Sequence, residues 1–352
     1  MARLSSPLRL GVVGYGGGGR LFHTPFIAAA EGVELAGVVA RAPDRVAQAR
    51  ADWPEAEVFG SLGELLESGV DAVTITTPPI THFDLAREAI EAGVHVVVDK
   101  PFVPSSAEAR ELIDRATTAR VLLSVYQNRR WDADLVTLAG VLEAGRLGRV
   151  WRVASRMDQD NAVSLRAGHG NGLLLDLGTH LLDQMVWLLG PVASVSAQLL
   201  HVELDEVPTD AAFALTLVHR SGSVSSVEST KAHRLAVREL RALGTDGAYG
   251  ATSTDVQELA VKAGLRPEHD PDSWGYEGPE HWGTLVTASG EQRIPSAQGR
   301  WHDFYTQFGA AVRGEARQPV PASEALHVLQ VIEAARDSAL TGRTVDVPSD
   351  PA

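Results

Sequence analysis

Six consecutive residues near the start of the chain, Gly14-Tyr15-Gly16-Gly17-Gly18-Gly19, constrain the fold more than any other stretch. They spell G-x-G-x-x-G directly after the short apolar run Leu8–Val13 and ahead of a helical pattern over 21–30. In such a turn the first glycine permits a tight bend. The second lets the backbone approach a pyrophosphate, and the third lets helix and strand pack closely. The helix start then offers unpaired N–H groups to an anion. A glycine-rich turn without a ligand is the alternative, and the strand–turn–helix context favours a dinucleotide site.

The rest of the first 126 residues repeats the same rhythm. Short apolar runs at 34–40, 71–76, 95–98 and 121–126 alternate with helical patterns at 43–52, 62–67, 83–92 and 107–116. Near-continuous Val/Ile/Leu runs suit strands buried on both faces, so the alternation predicts a doubly wound parallel α/β sheet. Beyond a linking helix at 135–144 the pattern changes. Strand patterns at 150–157, 192–201, 212–219, 223–229 and 236–243 follow one another with short turns, broken by one helix over 173–189. This favours an antiparallel sheet. Residues 267–279 read as a loop, and 301–313 and 323–340 as two helices. The expected domains are 1–126 and 127–352, with the C-terminal helices able to pack back on the first.

Composition removes several functions. The formal net charge is −14, which disfavours binding to a nucleic-acid backbone. With no cysteine, disulfides, thiolate metal sites and a catalytic thiol are excluded, and no metal site is expected. No apolar run suits a membrane span or a secretory leader, so the expected compartment is the cytoplasm.

Three further signals carry chemistry. Arg41 stands at the end of the second strand, about 20 residues past the glycine turn, where an acidic residue would hold both ribose hydroxyls. A guanidinium suits a 2′-phosphate instead, so NADP is the preferred cofactor and NAD the alternative. An exposed arginine entering a helix is the bland reading. Asp99-Lys100-Pro101 closes another strand, on the edge where doubly wound sheets bind ligands. There the Lys100 ammonium could stabilise a developing alkoxide, or be an ordinary surface lysine. Asp176 and His180, four apart in an apolar segment, share a helix face. His180 could exchange a hydroxyl proton with Asp176 orienting it, or the two could simply satisfy each other in a core.

Taken in order, these motifs resemble the Gfo/Idh/MocA oxidoreductases, the relatives of glucose–fructose oxidoreductase and inositol dehydrogenase, over nearly the whole chain. Gly14 to His23 is similar to one branch of that family. Thr76-Thr77-Pro78-Pro79-Ile80-Thr81-His82 resembles its cofactor loop, with Pro79 in place of Asn. Asp99-Lys100-Pro101 resembles its Glu-Lys-Pro motif, and Tyr126 to Asp132 its Gln-Asn-Arg-Arg segment. Asp176 and His180 match its Asp-x-Gly-x-His motif. The resemblance implies a Rossmann domain followed by an α/β domain with a large, mostly antiparallel open sheet that builds homodimers or homotetramers. It implies Lys100, Asp176 and His180 as the catalytic set. Gly14, Tyr15, Gly16, Gly17, Gly18, Gly19, Arg41, Thr76, Thr77, Pro78, His82, Asp99, Lys100 and Asn128 would bind the cofactor. The substrate would be a sugar, polyol or derivative, oxidised or reduced at a hydroxyl-bearing carbon.

Departures fall where the branch would line its substrate pocket. Arg156-Met157-Asp158-Gln159-Asp160-Asn161 lacks two expected arginines and a tryptophan, and Asn171 interrupts a triple glycine just after His169. Arg156, Asp158, His169 and Asn171 are therefore expected substrate contacts, for a substrate unlike the branch's inositols. Packing is the expected role of Trp274, Trp282 and Trp301. Redox-assisted glycoside cleavage with retained NAD, and a non-catalytic nucleotide sensor, are the competing functions.

Overall fold

The computed structural model describes residues 7–168, 170–252 and 255–349. By internal contact the chain divides into two units. The first comprises Met1–Asn128, Gln257–Trp274 and Arg300–Leu326; the second comprises Arg129–Val256, Gly275–Gly299 and His327–Ala352.

In the first unit six parallel strands form one sheet among the described residues. They are β1 (Leu8–Val13), β2 (Val33–Val39), β3 (Glu57–Phe59), β4 (Ala72–Ile75), β5 (His95–Asp99) and β6 (Leu123–Tyr126), in the order β3-β2-β1-β4-β5-β6. The order reverses between β1 and β4, the switch point at which such sheets open a ligand crevice beyond the strand ends. Leu8, Leu10, Val12, Val73, Val96 and Val97 are fully buried, as the unbroken apolar runs require. Gly11 allows the helix Leu62–Glu67 to press close, since a Cβ there would lie 2.6 Å from Leu65 Cδ2. Segments 257–274 and 300–326 complete this core with aromatic rings. Trp301 lies 5.3 Å from Phe26 between ring centres, and Trp274 lies 5.8 Å from the same ring. Both tryptophans are buried and therefore packing residues.

One expected helix is reorganised. Residues 21–30 do not form a single α-helix: a π-helical turn, Gly18–His23, hands over to a short α-helix, Thr24–Ala28. Pro25 has no N–H for an i→i−4 bond, which accounts for the change of winding.

The second unit is built, among the described residues, on nine strands: β7 (Val150–Asp160), β8 (Val192–Leu204), β9 (Val207–His219), β10 (Val224–Thr230), β11 (Ala232–Gly244), β12 (Gly247–Thr252), β13 (Gly283–Thr287), β14 (Gly290–Ile294) and β15 (Val345–Asp346). Their order is β14-β13-β12-β11-β7-β10-β9-β8-β15. Of these pairs only β7–β10 is parallel. Along β9 buried and exposed residues alternate from Phe213 to His219, so one face is covered and the other is open. On the covered face, Gly178 brings a helix against Phe213, whose ring would be 3.4 Å from a Cβ at that position. The helix expected over 173–189 is two pieces, Leu173–Asp176 and Gly178–Leu189, parted at Leu177.

Candidate functional site

The glycine turn leaves β1 at the switch point. Gly14 has φ +105°, a region that L side chains rarely adopt. A Cβ on Gly19 would stand 2.2 Å from the Gly14 carbonyl oxygen, so the close approach of the two backbones excludes any side chain. Gly16 and Gly17 are different: a Cβ on either meets nothing within 4 Å. They border open space, as a cradle for a pyrophosphate must. The Thr76 hydroxyl donates to the Gly14 carbonyl at 2.8 Å and ties the turn to the loop after β4. Thr77 and Thr81 share a hydroxyl hydrogen bond at 2.7 Å, and the Pro78 carbonyl accepts from the Thr81 hydroxyl at 2.7 Å.

Two of the expected cofactor residues turn their side chains elsewhere. The Tyr15 ring packs with Val38, Ala40 and Ala49, and its hydroxyl donates to Asp52 at 2.9 Å. Its burial and that bond push the phenol upward, so only the backbone of Tyr15 belongs to the turn. His82 is buried, with its ring nitrogens 2.7 Å from the Thr77 carbonyl oxygen and 3.0 Å from that of Phe102. It fastens the loop after β4 to the loop after β5. Asn128 is buried in the short helical turn Asn128–Trp131.

Arg41 is exposed at the end of β2. Its Nε donates to the Gly60 carbonyl at 3.2 Å, and its terminal nitrogens have no partner among the described residues. The nearby Asp44 carboxylate stands 3.7 Å from Arg45, so Arg41 is not drawn into that pair.

Asp99 and Lys100 end β5. The Lys100 N–H donates to Asp99 Oδ1 at 2.8 Å, and the Lys100–Pro101 peptide is cis. Burial pushes the Asp99 carboxyl up, but the pull of His23, then of Lys100 and His82, prevails and holds it below its ordinary value. Asp99 Oδ2 faces the glycine turn, 3.3 Å from where a Gly18 Cβ would be.

In the second unit Asp176 closes the short helix Leu173–Asp176, and His180 lies in the first turn of Gly178–Leu189. His180 is 4% exposed. Upstream, Asp210 accepts the Leu174 N–H at 2.6 Å, and a Cβ on Gly172 would collide with that carboxylate at 2.2 Å. Asp176 Oδ2 accepts a hydrogen bond from Lys231 Nζ at 2.7 Å. Lys231, the partner of Asp176, is not among the residues expected from the motifs. Its signal was strand alternation: Val227, Ser229 and Lys231 fall on one buried face, where an ammonium demands a carboxylate.

The expected substrate contacts are not brought together. Arg156 pairs with Asp158 and faces Glu228 in register. Ser229 and Phe213 point to the covered face, so Arg156, Asp158 and Glu228 lie on the open one, against a cavity of about 350 Å³. Asp176 and Lys231 are on the other side of the sheet. Asn171 donates to the Ala167 carbonyl at 2.9 Å and lines a separate cavity of about 600 Å³ with Asp210 and Arg336. His169 lies outside the described residues. The Gln-Asn-Arg-Arg segment is spent on ion pairs: Arg130 forks onto Asp183 at 2.7 and 2.6 Å, and Arg129 meets Asp255 and Asp132.

Comparison with known proteins agrees with this architecture. Residues 8–127 match the model of an oxidoreductase family with an NAD-binding Rossmann fold, and residues 135–250 match the GFO/IDH/MocA C-terminal domain. The chain belongs to the Gfo/Idh/MocA oxidoreductase family. Among relatives in the family, the uncharacterized oxidoreductase YdgJ of Escherichia coli is 34% identical, over 96% of this chain and 97% of its own. The scyllo-inositol 2-dehydrogenase (NADP(+)) IolW of Bacillus subtilis is 30% identical, over 96% and 95%. The solved structure of the Bacillus subtilis oxidoreductase yvaA superposes with a TM-score of 0.90 at 30% identity, covering 99% of this chain and all of that one. As a Gfo/Idh/MocA protein the chain is an NAD-binding oxidoreductase, and the open space over Gly16 and Gly17 fits such a cofactor. Among the described residues no helix is long and apolar enough to cross a membrane.

Proposed function

We propose that this enzyme moves a hydride between a nicotinamide cofactor, by preference NADP, and a hydroxyl-bearing carbon of a sugar, polyol or derivative. The observation that carries the substrate half is the Asp176–Lys231 pair. A carboxylate 42% exposed, four residues before His180 in sequence, is held by an ammonium 6% exposed. That is a fixed acceptor for a substrate hydroxyl beside a group able to move a proton near neutral pH. Bound nicotinamide supplies the hydride chemistry, and the protein supplies position and proton handling.

His180 is assigned as acid/base, Asp176 as acceptor and orienter of the reacting hydroxyl, and Lys100 as the cation that favours its alkoxide form. Arg156 and Asp158, on the open face, are left out of this set. That face carries exposed Leu200, Val218, Leu243 and Val286, and we assign it to pairing with a second copy in a cytoplasmic homodimer or homotetramer.

A panel of polyols and sugars with NADP or NAD, followed by absorbance of the reduced cofactor, tests the reaction. Turnover of at least one polyol, lost about 100-fold or more in His180→Ala, is the expected result. Turnover unchanged by that substitution removes His180 from its role, and a protein that binds no nicotinamide cofactor ends the proposal.

A further inference from the structure

Behind Asp99, inside the first unit, three side chains form a buried chain that the assigned roles leave unused. Tyr305, from the helix Asp303–Val312, is fully buried, as is His23. The Tyr305 hydroxyl lies 2.5 Å from His23 Nδ1, and His23 Nε2 lies 3.3 Å from Asp99 Oδ1. The Tyr126 ring packs against the imidazole at 4.2 Å between centres, tilted by 39°, and closes off one side of it.

The proton positions follow from charge. Burial and the Asp99 charge drive the Tyr305 phenol well above its ordinary value, so Tyr305 keeps its proton and has it to offer to Nδ1, the direction proposed below. A neutral ring that accepts at Nδ1 carries its hydrogen on Nε2, the atom facing Asp99. Asp99 Oδ1 accepts the Lys100 N–H, and the His23 Nε2 side of the ring stands 3.3 Å from the same oxygen as a charge-complementary contact. Oδ2 is left facing the glycine turn at Gly18. The other titratable groups facing this carboxylate are Lys100 and His82, with Tyr126 behind the imidazole.

We propose that His23 and Tyr305 are positioning residues that lock Asp99 with Oδ1 turned inward and Oδ2 presented to the glycine turn as acceptor for a hydroxyl on the nicotinamide side of the bound dinucleotide. This rests on the cofactor reading above. An outer partner that fixes the orientation of a contacting group is a general device for tuning affinity. Neither residue touches the ligand: both act through Asp99.

The test compares two ligands on the intact protein. Tyr305→Phe removes one hydroxyl and keeps the ring. It is expected to weaken the reduced dinucleotide about fivefold to tenfold, while the adenine half alone, 2′,5′-ADP or 5′-AMP, binds within about twofold of the wild type. A merely structural role would weaken both ligands equally, and that result, or no change in either, overturns the proposal. Imidazole ¹⁵N spectra of the ligand-free wild type, with the His23 signal identified by its loss in His23→Phe, give a readout that needs no variant to bind anything. The Nε2–H tautomer is expected; the Nδ1–H tautomer overturns the chain. If the wild type binds no nicotinamide dinucleotide, the cofactor reading falls and this inference with it. If it binds and Tyr305→Phe is indifferent, the inference alone falls.

Discussion

Under the proposed function, single side chains divide into those that would touch a ligand and those that would set the charge around it. Arg41 is of the first kind. One nitrogen is held by the Gly60 carbonyl, which orients the guanidinium while leaving its terminal fork for an anion. Arg41→Ala should therefore cost NADPH about tenfold in affinity and leave NADH within about twofold. Isothermal titration with both cofactors decides it, and equal losses would make Arg41 a scaffold residue. Lys231 is of the second kind. Its loss removes one cation from Asp176, but that carboxylate is 42% exposed and water can solvate it, so the fold should tolerate the change. Lys231→Met is expected to lower kcat/KM by about tenfold or more on whichever polyol the enzyme turns over, with the melting temperature within a few degrees. A large drop in melting temperature with normal turnover per folded molecule would show that the pair serves stability alone.

At the scale of elements, the glycine turn separates folding from binding within six residues. A methyl group on Gly19 meets the Gly14 carbonyl at 2.2 Å, whereas one on Gly16 or Gly17 meets nothing in the protein. Gly19→Ala should thus destabilise the first unit by about 2–4 kcal/mol, seen as a lower melting temperature without any ligand. Gly17→Ala should melt like the wild type and lose dinucleotide affinity, because the space it fills is the ligand's. The reverse pattern would relocate the cradle. The same elements show what a sequence makes visible. Five strands of the parallel sheet stand out because unbroken Val/Ile/Leu runs have few other homes, and the glycine turn marks itself. The three-residue β3 is too short to carry a pattern. The β8–β9 hairpin reaches Leu204 and Val207 through Asp205 and Glu206, both at positive φ, and with no glycine there the turn gives no signal. β12 to β14 are short and rich in glycine and polar residues, so their alternation is faint. The motif residues were legible by spacing. The Lys231 partnership was not, because it joins 176 to 231 through tertiary packing, and the face on which Arg156 lies depends on a strand register that only pairing sets.

For the whole molecule, buried imidazoles in both units predict a loss of stability in acid. Burial lowers His95 and His302 in the first unit and His219 in the second, against smaller opposing pulls from Asp71, Asp303 and the Gly190 carbonyl. His95 gives the chemical reason in one contact: its Nδ1 accepts the Leu122 N–H at 2.9 Å, a role that a protonated ring cannot fill. The sign follows by linkage. Above the ordinary histidine value of about 6.5 both folded and unfolded chains hold neutral rings, and the native contacts contribute in full. As the pH falls below it, the unfolded chain takes up protons that the folded chain refuses. Stability then declines by at most about 1.4 kcal/mol per pH unit for each such ring, until the pH passes the lowered native value. Depressed carboxyls such as Asp99 act only lower, near and below about pH 4, so the two losses are separable. Urea unfolding at about pH 7.5 and about pH 5.5 should show the wild type clearly weaker in the acid sample. His95→Gln keeps an acceptor oxygen for Leu122 and cannot titrate, so it should lose less on acidification even if it starts less stable. An equal loss in both proteins would mean that His95 takes up its proton in the folded state as readily as in the unfolded one.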